Sequence, residues 1–205
     1  MKATVTLIVP CYNEEESLPI FYSAVCDVAR QLPDYGISLL LVNDGSEDGT
    51  LKVMRDLAVR DERVQYLSFS RNFGKEAAMY AGFCNAKGDY VAVMDADMQD
   101  PPSLLPEMLQ ILETGEYDSV ATRRVTRDGE PPIRSFFARM FYKLINRISE
   151  ADIVDGARDF RLMKREMVDA IAFILLLCLL VIVSLVIILL FFLSLLKKVA
   201  FCFLP

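Results

Sequence analysis

Asp95 and Asp97 stand one residue apart in Tyr90-Val91-Ala92-Val93-Met94-Asp95-Ala96-Asp97-Met98-Gln99-Asp100-Pro101-Pro102. The apolar residues before them read as a buried strand, and two prolines close the loop behind them. With Gln99, the two carboxylates offer only oxygen donors. Such a set suits Mg²⁺ or Mn²⁺ better than zinc or copper, and a rigid strand end can hold that cation against a diphosphate. Two aspartates at this spacing also fit a solvated turn or helix cap, so the preceding strand and following prolines are what favour a metal. Asp44 and Asp48, in Asn43-Asp44-Gly45-Ser46-Glu47-Asp48-Gly49-Thr50, carry the same two readings.

The chain contains no histidine, which excludes serine–histidine triads, histidine bases and histidine metal sites. Acid–base chemistry falls to carboxylates or lysine. Five cysteines, Cys11, Cys26, Cys84, Cys178 and Cys202, show no CxxC spacing and read as reduced, packed thiols. No GxGxxG motif opens a helix, which argues against a dinucleotide-binding dehydrogenase.

The elements that must position these residues alternate. Thr4 to Val9 is a strand stopped by Pro10, and Cys11-Tyr12-Asn13-Glu14 is a polar loop. A helix follows, with Ser17 as its cap, Pro19 in its first turn, and Leu18, Phe21, Val25, Val28, Ala29 and Leu32 at helical spacing. Ile37 to Val42 is a short apolar strand, Leu51 to Val59 a helix, and Val64 to Phe69 a strand. Arg71-Asn72-Phe73-Gly74-Lys75 leads into a helix reaching about Ala86, and Tyr90 to Met94 is the strand before Asp95. Pro102 to Thr114 forms a helix and Asp118 to Thr122 a further strand. Apolar strands alternating with amphipathic helices predict an α/β domain with a mostly parallel sheet covered on both faces. Ligands then bind at the carboxyl ends of the strands, where the polar clusters after Val9, Val42 and Met94 fall.

Arg123 to Pro132 is charged and rich in turn formers, as expected of a loop over a site. Beyond it, Phe136, Phe137, Met140, Phe141, Leu144 and Ile145 make an apolar stripe on a helix that also carries Arg134, Arg139, Lys143 and Arg147. This helix either packs on the sheet with a solvated basic edge or lies on an anionic membrane surface.

Ile171 to Leu196 has no charge and is broken only by Ser184 and Ser194. At 1.5 Å per residue it makes a helix of roughly 39 Å, enough to cross about 30 Å of hydrocarbon, and it reads as one membrane span. The division expected is a soluble domain over 1–170, a span over 171–196 and a tail over 197–205. Arg158, Arg161, Lys164 and Arg165 precede the span and only Lys197 and Lys198 follow it, which places the domain on the cytoplasmic face of a cell (inner) membrane. The residues before the span carry a net charge of −8, which argues against nucleic acid as a partner. A single span beside an apolar stripe is compatible with a homo-oligomer.

Five motifs in order, Val9-Pro10-Cys11-Tyr12-Asn13-Glu14, Val42-Asn43-Asp44-Gly45-Ser46, Arg71-Asn72-Phe73-Gly74-Lys75-Glu76, Asp95-Ala96-Asp97-Met98-Gln99-Asp100-Pro101-Pro102 and Asp159-Phe160-Arg161-Leu162-Met163, resemble family 2 glycosyltransferases. The likeness is greatest to the polyprenyl-phosphate group, which includes GtrB-type and ArnC-type enzymes and, more distantly, dolichyl-phosphate mannose synthases, and it covers about residues 3 to 168. The resemblance implies a GT-A-type nucleotide-diphospho-sugar transferase fold. It implies that Pro10, Tyr12, Glu14 and Asp44 hold the nucleoside of a nucleotide-sugar donor, and that Asp95, Asp97 and Gln99 hold Mg²⁺ or Mn²⁺ against its diphosphate. Asp159 matches the position proposed as a base, and Arg161 would reinforce that clamp or reach the acceptor phosphate. Either Asp159 is that base or it anchors Arg158 or Arg161. Arg123, Arg127 and Arg134 lie where an acceptor phosphate would be gripped, or else belong to a solvated loop.

The implied reaction moves a sugar, from a UDP-sugar or GDP-mannose, to a polyprenyl phosphate such as undecaprenyl or dolichyl phosphate, with inversion. After Asp169 the resemblance stops, because the family continues with more soluble structure, an amphipathic surface helix and usually two spans. A frameshifted or divergent C-terminus is the expectation there, and with it an incomplete acceptor site. Two alternatives stay open: a family 2 transferase with a polysaccharide or glycolipid acceptor, and a noncatalytic, nucleotide-binding membrane protein.

Overall fold

The structure, a computed structural model, describes residues 2–123 and 157–201. Along the chain come β1 (Ala3–Cys11), α1 (Ser17–Gln31), β2 (Tyr35–Asn43), α2 (Thr50–Arg60), β3 (Val64–Ser68), α3 (Lys75–Asn85) and β4 (Tyr90–Val93). A 3-10 turn (Pro102–Leu104) leads into α4 (Leu105–Glu113), followed by β5 (Ser119–Arg123), β6 (Ala157–Lys164) and α5 (Arg165–Phe201). The six strands form one sheet in the order β3-β2-β1-β4-β6-β5. β1 pairs in parallel with β2 and β4, β2 with β3, and β6 runs antiparallel to both β4 and β5.

Both faces of the sheet are covered, which is why its central strands are continuously apolar. On one face Val5, Leu7 and Val9 of β1 meet Phe21 and Val25 of α1, Met54 of α2, Leu109 and Leu112 of α4, and Phe160 and Leu162 of β6. On the other face Ile8, Leu40, Val42, Val91, Val93 and Met163 pack with Ala78 of α3 and Val168 of α5. Alternation along a strand assigns these faces, so β1 sends its odd-numbered apolar residues to one helix layer and Ile8 to the other. Gly82 lets α3 lie directly on β1, since a Cβ there would stand 2.3 Å from Cγ2 of Ile8.

Three elements depart from the sequence reading. β1 continues through Pro10 to Cys11. The carbonyl of Ile8 accepts the Met94 amide at 3.0 Å, so Ile8, and Pro10 two residues on, face β4, which ends at Val93. Pro10 therefore lacks an N–H only where no strand remains to receive it. Ser17 is not the cap of α1: its hydroxyl turns back to the Glu14 carboxylate, and the cap position is Glu16, with no side-chain capping bond. The helix expected over 102–114 is a 3-10 turn followed by α4. In addition, β6 went unassigned in the sequence, although Phe160 and Leu162 bury one face of it while Asp159 is exposed.

α5 begins at Arg165, inside the domain. The Arg165 guanidinium donates to the Gly88 carbonyl at 2.9 and 3.0 Å, and Val168 is fully buried. From Phe173 to Leu196 the helix carries no charged residue, and its described side chains are exposed. Among the described residues it is the one helix long and apolar enough to cross a membrane.

Candidate functional site

The loops after β1 and β2 are tied into one rim. The Glu14 amide donates to Thr50 Oγ1 at 2.7 Å, the Asn13 amide to Ser46 Oγ at 3.1 Å, and the Glu47 amide to Asn13 Oδ1 at 2.9 Å. Glu15 accepts from the Gly49 amide at 2.9 Å, and Asp48 accepts from the Thr50 amide at 3.0 Å and from the Glu15 amide at 3.2 Å. Asp48 therefore stabilises the turn before α2, whose cap position is Gly49.

Asp44 is buried and works on a third loop. Its two carboxylate oxygens accept the backbone N–H of Phe73 at 2.7 Å and of Gly74 at 2.9 Å. Its share of the site is to fix the loop that opens α3. Gly45 permits the same approach, because its φ of +66° suits glycine and a Cβ there would stand 2.2 Å from the Arg71 carbonyl carbon. The two non-glycine residues with positive φ among those described, Asn13 at 58° and Met98 at 60°, both lie in loops at this end of the sheet. Backbone in that conformation is held at a cost, which surrounding contacts must offset.

These loops enclose a cavity of about 330 Å³ lined by Pro10, Cys11, Tyr12, Glu14, Asp44, Asn72, Gly74, Lys75, Asp95, Ala96 and Asp97. It gathers the residues expected to hold a nucleotide, Pro10, Tyr12, Glu14, Asp44 and Asp95, together with Asp97. Tyr12 is 44% exposed in the wall, which leaves its ring free to stack on a planar base. Cys11 is buried beneath, and burial, followed by the Glu14 and Asp95 carboxylates, pushes its thiol well above the usual range. It stays protonated and donates weakly to the Val9 carbonyl at 3.3 Å, which removes it as a nucleophile.

Asp95 follows the buried end of β4, while Asp97 is exposed and accepts the Gln99 amide at 3.0 Å. The Gln99 side chain is not part of the cavity lining. No cluster of three His, Cys, Asp or Glu residues suited to a metal occurs among the described residues. Two carboxylates suffice for a cation that keeps its waters and takes its remaining donors from a bound diphosphate, so Asp95 and Asp97 fit Mg²⁺ or Mn²⁺ in that form.

Lys75, the first residue of α3, was not singled out from the sequence. Its ammonium lies 2.6 and 2.8 Å from the two oxygens of Asp95 and 2.6 Å from Asp159. Burial alone would lower its pKa, but hydrogen bonds to Asp159 and Asp95 outweigh that and hold it above the ordinary lysine value. The signal available in the sequence was a lysine opening a helix at the carboxyl end of a strand, the position Asp44 and Gly74 now define.

Asp159 and Arg161 lie on β6 and line a second cavity of about 260 Å³ with Met79, Phe83, Val93, Met163 and Ile171. This one is mostly apolar and runs from the two polar residues to the root of α5. Lys75 lines the first cavity and touches the second only through its ion pair with Asp159. Arg123 ends β5 and is exposed, outside both linings. Arg127 and Arg134, with the apolar stripe from Phe136 to Ile145, lie outside the described residues.

Comparison with known proteins agrees with this geometry. The family described as "Glycosyl transferase family 2" matches residues 6–172. The bactoprenol glucosyl transferase of Shigella phage SfV is 41% identical over 170 residues, which are 83% of this chain and 55% of that protein. The chain spans about half the length of the curated relatives it matches. Among solved structures, a mannosyltransferase from Pyrobaculum calidifontis in complex with GDP-Man and Mn²⁺ is 22% identical with a TM-score of 0.58, covering 83% of this chain and 47% of that one. Glucosyl-3-phosphoglycerate synthase from Mycobacterium tuberculosis, with Mn²⁺, UDP-Glc and phosphoglyceric acid, is 24% identical with a TM-score of 0.58, covering 80% of this chain and 57% of that one. The fold is the expected GT-A type.

Proposed function

Because the chain belongs to glycosyl transferase family 2, we propose that it transfers a hexose from a nucleoside-diphosphate sugar to a polyprenyl phosphate, inverting the anomeric carbon and requiring a divalent cation. The observation that carries this reading is the pairing of Lys75 with both Asp95 and Asp159, which links a polar cavity holding two metal-type carboxylates to an apolar groove lined by Ile171 of a membrane-type helix. A soluble acceptor has no use for such a groove, whereas a lipid phosphate does: its phosphate lies at Arg161 and Asp159, and its isoprenoid chain runs past Met79, Phe83 and Met163 toward Ile171. The names of the relatives point to the same acceptor class and to glucose. A UDP-sugar is the favoured donor and GDP-mannose the second.

In this reading Tyr12, Pro10 and Glu14 hold the nucleoside, and Asp44 shapes their pocket by fixing the Phe73–Gly74 backbone. Asp95 and Asp97 would hold Mg²⁺ or Mn²⁺, which neutralises charge on the departing nucleoside diphosphate. An oxygen of the acceptor phosphate attacks the anomeric carbon as that carbon's bond to the donor phosphate breaks. This nucleophile is already anionic near neutral pH, so Asp159 contributes by orienting Lys75 and the acceptor more than by removing a proton. Arg161 pairs with the acceptor phosphate. α5 anchors the domain at the cytoplasmic face, and the change from domain to span falls inside this helix, near Ile171.

The test is transfer of labelled sugar from UDP-glucose, other UDP-sugars and GDP-mannose to undecaprenyl phosphate in detergent, with Mn²⁺ or a chelator. Metal-dependent label in the lipid, lost in Asp97→Ala, is the expected result. Label that survives chelation or Asp97→Ala would sink the proposed use of the two carboxylates, and nucleotide binding with no transfer would sink the proposed activity.

A further inference from the structure

The Lys75 ammonium sits within 2.8 Å of both oxygens of Asp95 and also binds Asp159. Those Asp95 oxygens are the donors a divalent cation needs, so in the free protein the place of the metal charge is already taken by an internal cation. The root of this side chain is fixed: Lys75 follows Gly74, whose amide is held by buried Asp44. Its side chain is only partly exposed, at 36%.

A metal ion arriving alone must displace the ammonium from Asp95 and leave it with Asp159 as its only anionic partner. A metal ion arriving with a nucleoside diphosphate brings new anionic oxygens into the same cavity, and the displaced ammonium can pair with those. From this we infer that Lys75 is a positioning residue that couples metal binding to nucleotide binding, occupying Asp95 until a diphosphate is present. The inference rests on the reading of this cavity as a metal–diphosphate site and adds an order of assembly to it. The same contact explains how two carboxylates from separate elements, Asp95 after β4 and Asp159 on β6, are held close before any ligand enters. Its consequence is that the protein holds free divalent cations more weakly than cations arriving with a nucleoside diphosphate.

Binding of Mn²⁺ to the full chain in detergent, followed by the electron paramagnetic resonance of the unbound aquo ion, tests this without turnover. In the wild type, UDP or GDP should tighten Mn²⁺ binding by about tenfold or more, within the usual range of coupling between sites. In Lys75→Met, Mn²⁺ alone should bind about tenfold more tightly, and the further gain from nucleotide should shrink to about twofold. Lys75→Arg keeps the charge and should retain the wild-type pattern, which guards against a fold-wide effect of substitution. If Lys75→Met leaves both the affinity for free Mn²⁺ and the nucleotide effect unchanged while Mn²⁺ and nucleotide still bind, the inference alone is overturned. If the wild type binds no Mn²⁺ with either nucleotide, the reading of the cavity falls and takes the inference with it.

Discussion

Val93 and Arg161 stand opposite each other in the antiparallel β4–β6 ladder. Continued by two residues, that register sets Asp95 opposite Asp159, and Lys75 reaches both from the start of α3. The β4–β6 ladder thus ends two residues short of Asp95, and the first residues of the loop after β4 carry Asp95 on to Lys75 and Asp159. β6 runs against β1–β4, so its amino-terminal half, carrying Asp159 and Arg161, lies at the same end of the sheet as the carboxyl ends of the parallel strands.

This placement predicts a specific defect for Arg161→Ala. Arg161 lines the apolar groove and not the nucleotide cavity. Loss of one charge-assisted hydrogen bond to a phosphate costs roughly 1.5–3 kcal/mol, so KM for undecaprenyl phosphate should rise by at least tenfold. KM for the nucleotide sugar should stay within about twofold, since the proposed site of that ligand is the other cavity. Steady-state kinetics varying each substrate in turn would measure both, and a defect confined to the donor would refute the assignment.

Asp44 should matter to stability before it matters to specificity. Asp44→Ala leaves the amides of Phe73 and Gly74 without their partner in a part-buried setting, at a cost of about 1–3 kcal/mol. Asp44→Asn keeps one acceptor oxygen and should recover part of that loss. Urea unfolding of the two variants would show the order wild type, Asn, Ala. If Asp44 instead served only to read the nucleotide base, both variants would unfold like the wild type.

Asp61 supplies the pH dependence that can be assigned to one group. Arg63, at 2.6 Å, holds the Asp61 carboxyl far below the usual carboxylate range; burial opposes this, and the Arg63 amide and Tyr22 hydroxyl add to it. Because the folded value is depressed, the stabilisation is present above the unfolded value of about 3.9 and fades as pH falls from there toward the folded one. Asp61→Asn should lower Tm by about 2–4 °C at pH 7, for a loss on the order of 1 kcal/mol. The difference in Tm between wild type and variant should begin to narrow below about pH 4 and keep shrinking as pH falls further. A gap that stays constant down to pH 2 would mean the loss is not electrostatic.

Much of this architecture was readable from residue pattern, for physical reasons. Strands covered on both faces are continuous apolar runs, so β1, β2 and β4 declared themselves, and the loops after them carried the polar residues that line the cavity. Pro10 misled because a proline stops a strand only when its missing N–H faces a neighbour, and sequence does not show where β4 ends. β6 was missed because its apolar residues Phe160 and Leu162 alternate with the charged Asp159 and Arg161, so the segment looks like a motif rather than an element. The resemblance assigned Asp44 to the nucleoside, and its further task, accepting the backbone amides of a loop about thirty positions away, leaves no mark in residue types. Lys75 is the same case: its chemistry depends on two aspartates, 20 and 84 positions away, that only the fold makes its neighbours.

The contact between Gly82 and Ile8 tests whether the site depends on how closely α3 packs on the sheet. A Cβ at Gly82 would lie 2.3 Å from Cγ2 and 3.1 Å from Cδ1 of Ile8, too close without movement of helix or strand. Gly82→Ala gains up to about 1 kcal/mol in helix propensity but forces overpacking worth roughly 1–3 kcal/mol, so a net loss is expected. Ile8→Ala alone should cost about 2–5 kcal/mol through the cavity it leaves. In the double variant the new methyl occupies part of that cavity, and the combined loss should fall short of the sum by at least about 1 kcal/mol. Function should follow the packing, because α3 carries Lys75 at its start and β1 carries Pro10 and Cys11 at its end. Gly82→Ala should therefore weaken nucleotide binding, and the double variant should recover it. Additive stabilities with unchanged nucleotide affinity would show that the Lys75 position is set by Asp44 alone and not by the seat of the helix.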